Sequence, residues 1–171
     1  MKLKLQQCTL GDLQQLVKIS KDTFVDAFEK DNDPRDFETY IQQAFSMEQL
    51  RLELENQNTQ FFFVFLGQEL IGYLKLNKEE AQSDIKDSES LELERIYVVQ
   101  KFQGKGIGNW LLQQVIQIGQ KQALAYIWLG VWEKNEAAIR FYQKHGFQKF
   151  GTHPYYIGKD KQTDWLMRLD L

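Results

Sequence analysis

The stretch QKFQGKGIGNW, residues 100–110, places glycines at three alternate positions, Gly104, Gly106 and Gly108. Each glycine loses conformational entropy on folding, so three at one strand-to-helix corner indicate a requirement of the backbone. Consecutive amides at a helix N-terminus bind anions such as a pyrophosphate, because unsatisfied N–H groups and the helix dipole attract negative charge. The corner therefore favours a phosphate-binding loop, with a flexible turn as the alternative.

Two well-known nucleotide-binding motifs do not fit this corner. A P-loop requires Lys followed by Ser or Thr after its last glycine, whereas Asn109 and Trp110 follow Gly108. A dinucleotide-binding fingerprint requires GxGxxG and an acidic residue about 20 positions later. Here the spacing is GxGxG, and residues 122–128 contain neither Asp nor Glu.

Periodic patterns on both sides of the corner predict alternating strands and helices. Residues 91–99 are predicted to form a strand, and residues 107–118 carry apolar side chains at helical spacing. The other predicted elements are strands at residues 3–5, 61–66, 70–76, 125–132, 147–150 and 164–169, and helices within 13–55 and at 135–145. This order indicates an α+β, or mixed α/β, fold.

The composition limits the classes of protein to which the chain belongs. Its 171 residues, 43% of them hydrophobic, predict a single domain, residues 1–171. A formal charge of −3 argues against direct nucleic-acid binding. Residues 61–66, the longest apolar run, are too short to span a bilayer, and a lone Cys8 excludes a cysteine-rich metal site. His145 and His153 show no metal-ligand spacing, so we expect no metal site. The lone cysteine and the short apolar runs lead us to expect a cytoplasmic protein.

Two motifs resemble those of one large family. QGKGIG, residues 103–108, resembles the Q/R-x-x-G-x-G/A signature of the GCN5-related N-acetyltransferase (GNAT) superfamily. Residues 135–147 resemble the N-x-x-A-x-x-x-Y-x-x-x-G-F block of the same superfamily at every named position. ESLELERIYV, IWLGVWEKNE and AFSMEQLRLEL are further similar to its bacterial polyamine acetyltransferases, the PaiA type.

The resemblance implies the GNAT fold: a central, mostly antiparallel mixed β-sheet flanked by helices, whose strands at about 91–99 and 125–132 splay apart. It implies acetyl-CoA, leaving as coenzyme A, as the cosubstrate. It also implies direct transfer, through a ternary complex, to a primary amine such as spermidine or spermine. The residues expected to contact the cosubstrate are Ile96, Tyr97, Val98, Gln103, Gly104, Lys105, Gly106, Ile107, Gly108, Asn109, Asn135, Ala138, Tyr142 and Lys144.

Three side chains are candidates for the chemistry. An alkylamine has a pKa of about 10.4 and must lose a proton before it attacks. Glu92 and Glu94 lie two apart on a predicted strand and so share a face. Either could be the base or attract the ammonium; Glu94 is preferred, and a surface pair is the alternative. The resemblance assigns Tyr142 as the general acid for the departing thiolate, with a core tyrosine as the alternative.

The acceptor is less well defined by the sequence. Between residues 22 and 55 there are ten Asp or Glu residues and three Lys or Arg residues. We expect this segment to lie beside the acceptor cleft and to attract a small cationic amine. Tyr155, Tyr156 and Trp165 are candidates to line the cleft or to fill the core. The alternatives are an acetyl-CoA-binding regulator with little turnover and acetylation of protein N-termini or other small amines; a homodimer is left open.

Overall fold

The computed structural model describes residues 2–171, and its centre is a seven-stranded sheet in the order β1-β2-β3-β4-β5-β7-β6. Only β4 and β5 pair in parallel, and every other neighbouring pair is antiparallel. The predicted mixed, mostly antiparallel sheet is thus confirmed. The strands are β1 (Leu3–Gln7), β2 (Thr59–Leu66), β3 (Glu69–Asn77), β4 (Ser90–Val98), β5 (Tyr126–Trp132), β6 (Gln148–Ile157) and β7 (Asp160–Asp170).

Five α-helices flank the sheet: α1 (Leu13–Phe28), α2 (Pro34–Ala44), α3 (Met47–Glu55), α4 (Ile107–Lys121) and α5 (Glu136–Lys144). Local chemistry sets the helix starts between residues 13 and 55. The Asp33 side chain accepts hydrogen bonds from two amides of α2, which has Pro in its first turn, and Ser46 accepts one from the Gln49 amide. Among the described residues, none of the helices combines the length and hydrophobicity of a bilayer-spanning segment.

The helices divide between the two faces of the sheet. On one face α4 and α5 bury residues such as Leu111, Val115 and Ile139 against the central strands. On the other face α1 and α3 pack Leu16 and Leu50 against β2 and β3. A third cluster joins α1 and α2 to the end of β6. Near the centre of the sheet lies a space that side chains fill only in part.

The strands β4 and β5 pair over a short distance and then diverge. Their register contains Ser90 with Tyr126, Leu91 with Ile127 and Glu92 with Trp128. Beyond these pairs β4 continues alongside β3 as far as Val98, and β5 continues alongside β7. The splaying expected between these two strands is confirmed, and it opens a cleft in the middle of the sheet.

A β-bulge in β4 reverses which face of the sheet the side chains after Glu94 point to. Lys75 pairs with Arg95 and Leu76 with Leu93, which leaves Glu94 without a partner on β3. Strict alternation would place Ile96 on the face of Glu94. The extra residue shifts the alternation, so Ile96 packs with the α4 cluster and Tyr97 with the α1 clusters.

The closing strands are longer than the sequence predicted. Residues 147–150 and 164–169 were the predicted segments, whereas β6 and β7 form a long hairpin that turns at Gly158, with φ of 59°. Pro154 lies within β6, where it weakens the strand signal in the sequence. Proline is tolerated there because β6 is an edge strand with only one neighbour.

Candidate active site

The three glycines of the corner meet two different requirements. Gly104 and Gly106 have φ of 74° and 80°, in the left-handed region, and a Cβ built on either meets no atom within 4 Å. The space over these amides is therefore open at the point where α4 begins. A Cβ on Gly108 would lie 3.5 Å from the ring of Phe141, so this glycine allows α5 to pack closely against α4.

A groove of about 590 Å³ runs from this corner along β4 to α5. It is lined by Ile96, Val98, Phe102, Gln103, Gly104, Gly106, Ile107, Gly108, Asn109, Ala137, Ala138, Phe141, Tyr142 and Lys144. Most of the residues expected to contact the cosubstrate therefore lie together along this groove.

Three of the expected contact residues lie outside the groove. The Tyr97 side chain is on the opposite face of β4 because of the bulge, and its ring stacks on Tyr73 at 5.8 Å. Only its backbone can serve the predicted role. Lys105 is exposed, with its Nζ 5.6 Å from the centre of the Phe102 ring. Asn135 borders the neighbouring cavity, and its side chain caps α5 by accepting a hydrogen bond from the Ala138 amide.

The groove fits a long anionic cosubstrate with an amide-containing arm. Open amides at the start of α4 suit phosphate oxygens, and Lys144 adds a positive charge. After Glu92 the edge of β4 that faces β5 has no strand beside it, so its backbone can pair with amides of a bound arm. One of these groups is already in use, because Val98 O accepts a hydrogen bond from Gln103 Nε2 at 2.9 Å.

An inner cavity of about 200 Å³ occupies the gap between β4 and β5. Its lining includes Phe24, Phe28, Glu94, Arg95, Ile96, Tyr97, Gly130, Trp132, Asn135, Ala138, Tyr142, Tyr155, Gln162 and Asp164. Ile96, Ala138 and Tyr142 also line the groove, so the two spaces meet at these residues. A thioester carried in the groove would reach the cavity here.

Tyr142 lies at this junction with its ring fixed by packing. Phe141 and Phe147 contact the ring at centroid distances of 5.3 and 5.6 Å. Burial raises the pKa of the Tyr142 hydroxyl above its ordinary value, so the hydroxyl keeps its proton at neutral pH. The residue is thus a proton or hydrogen-bond donor at the junction of the groove and the inner cavity.

A second cavity, of about 250 Å³, adjoins the inner one. It is lined by Tyr40, Ser83, Asp84, Glu92, Glu94, Arg95, Tyr97, Trp128, Gly130, His153, Tyr155, Asp164 and Leu166. The lining contains four carboxylate side chains and one guanidinium, that of Arg95. Among residues 2–171 no three His, Cys, Asp or Glu side chains are arranged to hold a metal ion.

Glu92 and Glu94 share a face, as predicted, but have different partners. Glu92 accepts hydrogen bonds from the Ser83 amide at 2.8 Å and from Asn77 Nδ2 at 3.0 Å. Burial raises its pKa, and repulsion from Glu94 adds to the effect. Glu94 accepts from Lys75 Nζ at 2.8 Å and from Asn77 Nδ2 at 2.9 Å. Burial opposes ionisation of Glu94, but Lys75 and the adjacent Arg95 outweigh it and lower the pKa.

The acidic segment lies beside the cleft as expected, but its carboxylates do not line it. Within residues 22–55, the side chains that line the two cavities are aromatic, namely Phe24, Phe28 and Tyr40. The carboxylates of the cavities come from the β3–β4 connection, β4 and β7 instead. Of the later aromatic candidates Tyr155 lines both cavities, whereas Tyr156 is 55% exposed and lines neither cavity.

Sequence reasoning missed several residues of the site. Arg95 faces the cleft only because of the bulge, and Asp164 is an ordinary polar residue in a strand pattern. In the polar β3–β4 connection, Gln82 is buried and accepts a hydrogen bond from Trp128 Nε1 at 2.6 Å. Nothing in the sequence marks Gln82 as buried, because a glutamine in a polar segment is ordinarily exposed.

Comparisons with known proteins bear on the family and the fold of this chain. The model of the family described as "Acetyltransferase (GNAT) family" matches residues 13–147. An uncharacterized N-acetyltransferase of Lactobacillus delbrueckii subsp. lactis is 36% identical over 97% of this chain and 96% of its own length. The spermidine N(1)-acetyltransferase of Thermoplasma acidophilum is 24% identical over 86% and 89%. The crystal structure of PaiA N-acetyltransferase from Thermoplasma acidophilum, in complex with coenzyme A, superposes with a TM-score of 0.79 at 22% identity, covering 100% of both chains.

Proposed function

Because this chain belongs to the acetyltransferase (GNAT) family and so moves an acetyl group from acetyl-CoA to an amine, we propose that the amine is a cytoplasmic polyamine such as spermidine or spermine. The observation that carries the proposal is the acidic lining of the acceptor side of the cleft. Asp84, Glu92, Glu94 and Asp164 surround a space of about 250 Å³. Such a concave acidic surface concentrates and orients a polycation.

Aromatic rings support the same acceptor. Tyr40 and Tyr155 line the acidic cavity, and their hydroxyl groups are hydrogen-bonded to each other. Ring faces attract ammonium groups and cover the methylene segments between them. Arg95 is the one permanently charged cation in the lining, and its Nε lies 3.4 Å from Glu94 Oε2, so its charge is partly offset. The Thermoplasma relative named for spermidine acetylation adds to this support.

In this proposal the residues of the groove hold the cosubstrate. The amides near Gly104 and Gly106 bind the pyrophosphate, and the backbone of Ile96 and Val98 pairs with the amide arm. Tyr142 donates its proton, or a hydrogen bond, to the sulfur as the thioester bond breaks. Glu92 and Glu94 attract the ammonium of the acceptor into the cleft. Glu94 is also the base preferred from the sequence.

Direct transfer, without an acetylated cysteine, is favoured by the state of Cys8. This is the only cysteine of the chain, and it is buried. Burial raises the pKa of its thiol to about 12, and the charge of Asp12 contributes in the same direction. A thiol attacks as its thiolate, so Cys8 is not available as a nucleophile at neutral pH.

The proposal is tested by measuring the release of free thiol from acetyl-CoA with a panel of acceptors. The panel contains spermidine, spermine, n-butylamine and a peptide with a free N-terminus. We expect the two polyamines to give the highest kcat/KM. A preference for the peptide would replace the polyamine proposal, and coenzyme A binding without turnover on any acceptor would identify a regulator instead.

The charge of the cleft also predicts a dependence on salt. The Debye length falls from about 10 Å at about 0.1 M salt to about 3 Å at about 1 M. We therefore expect the KM for spermidine to rise with salt over this range, while the KM for n-butylamine changes less because it carries one charge. Steady-state kinetics at matched acetyl-CoA concentrations measures both. A spermidine KM that is independent of salt would contradict the proposed acidic site.

A further inference from the structure

Asp164 lies where the two cavities meet. On β7 it pairs with Trp132 of β5 on one side and with His153 of β6 on the other. Apart from Glu94 it is the only carboxylate that lines both the inner cavity and the acidic cavity. It therefore borders the space that joins the thioester side of the site to the acceptor side.

The Asp164 carboxylate is also free of hydrogen bonds. No donor among residues 2–171 contacts it, whereas Glu92 is held by Ser83 and Asn77 and Glu94 by Lys75 and Asn77. Gly130 on β5 leaves room for it, because a Cβ at that position would lie 3.3 Å from Asp164 Oδ2. The side chain has space and unused lone pairs on the side of the cleft.

Burial, more than the neighbouring charges, sets the basicity of Asp164. Burial raises the pKa of Asp164 to about 6; the positive charge of His153, when protonated, lowers it, and Glu133 raises it. His153 itself is hydrogen-bonded to Asp84 at 2.6 Å. Glu94, Arg95 and Tyr155 face the same cavity across the cleft. At neutral pH the carboxylate is mostly ionised and is a stronger base than an ordinary aspartate.

We propose that Asp164 is a catalytic residue that accepts the proton of the acceptor ammonium. This inference rests on the proposed acetylation of a charged amine. Asp164 takes one of the three N–H protons, and the neutral nitrogen attacks the thioester carbonyl. A carbon–nitrogen bond forms and the carbon–sulfur bond breaks. Tyr142 gives a proton to the sulfur and regains one from the acylated nitrogen, while Asp164 releases its proton to water, so one proton is produced per turnover.

The test is the pH dependence of kcat/KM for Asp164→Asn, measured with spermidine and with n-butylamine. The wild-type enzyme is expected to gain activity as pH rises through about 6, the value for Asp164. In Asp164→Asn this rise should disappear. At pH values above about 6, kcat/KM of the variant should be at least about tenfold lower than that of the wild type. Affinity for coenzyme A, measured by calorimetry, should stay the same.

Two further variants make the assignment specific. Glu133→Gln removes an exposed carboxylate that lines neither cavity, and it should keep the wild-type plateau of kcat/KM. Glu94→Gln removes the rival base; we expect a higher spermidine KM and a retained rise of activity with pH. If the rise is lost in Glu94→Gln and kept in Asp164→Asn, Glu94 is the base and the inference is overturned.

Stability gives an independent readout. The pKa of folded Asp164 is raised from 3.8 to about 6, so the stability of the fold falls as pH rises through that interval, and the full loss is present above about 6. Asp164→Asn should therefore have a higher Tm than wild type well above that pH and a similar Tm well below it. A lower Tm at both pH values would make Asp164 a structural residue. If only n-butylamine reacts, the polyamine proposal fails and the n-butylamine profile still decides the role of Asp164.

Discussion

Replacing Tyr142 by Phe is expected to lower kcat by on the order of 10²-fold or more, the range for loss of a positioned proton donor. The change removes only the hydroxyl, and the ring keeps its contacts with Phe141 and Phe147. The sulfur that leaves the acetyl group would then carry its developing charge without a donor. The affinity for coenzyme A should change little, because the groove is otherwise intact. Single-turnover kinetics and calorimetry separate these two effects.

The matched control is Tyr126→Phe. Tyr126 is also buried, but its hydroxyl donates to Asp87 and it lines neither cavity. This variant should keep wild-type kcat even where it loses some stability. Wild-type turnover in Tyr142→Phe would instead make Tyr142 a core residue, which was the alternative in the sequence.

Replacing Gly106 by Val should weaken coenzyme A binding by on the order of 10²-fold. Two effects combine: a β-branched residue disfavours φ of 80°, and its side chain fills the open space over the amides. Loss of two hydrogen bonds to a charged phosphate, at about 1.5 kcal/mol each, gives this magnitude. Calorimetric titration with coenzyme A measures it directly.

Gly67→Val is the control for backbone strain. Gly67 also has a positive φ, 61°, with no atom within 4 Å of a built Cβ, but it lies in the β2–β3 turn. The two variants should lose similar stability, and only Gly106→Val should lose affinity. An unchanged coenzyme A affinity in folded Gly106→Val would remove the phosphate-binding role of this corner.

The cosubstrate side of the molecule was predictable from sequence because its residues lie within two short segments. The glycine corner specifies where α4 begins, and the Asn135 to Phe147 block specifies α5 with Tyr142 on its inner side. Both patterns depend on local backbone chemistry, namely positive φ and helical spacing. Neighbouring residues in the sequence therefore became neighbouring residues along the groove.

The acceptor side was not predictable because distant parts of the chain build it. Asp164 on β7, Ser83 before β4 and Tyr40 on α2 meet only after the sheet has formed. The bulge at Glu94 has no signal in the alternation of apolar residues, so Arg95 was missed. The charge of residues 22–55 predicted carboxylates at the cleft, yet this segment contributes aromatic side chains to it.

The bulge in β4 bears on how the choice of acceptor amine can be changed in this enzyme. Glu92 and Arg95 point into the acidic cavity, whereas Ile96 and Val98 border the groove, so a single strand faces the acceptor with side chains and offers its backbone edge to the acetyl donor. We expect substitutions on the acidic face to change the choice of amine more than the affinity for the acetyl donor. The strand is therefore a modular element, and libraries for altered acceptor choice are best confined to its acidic face.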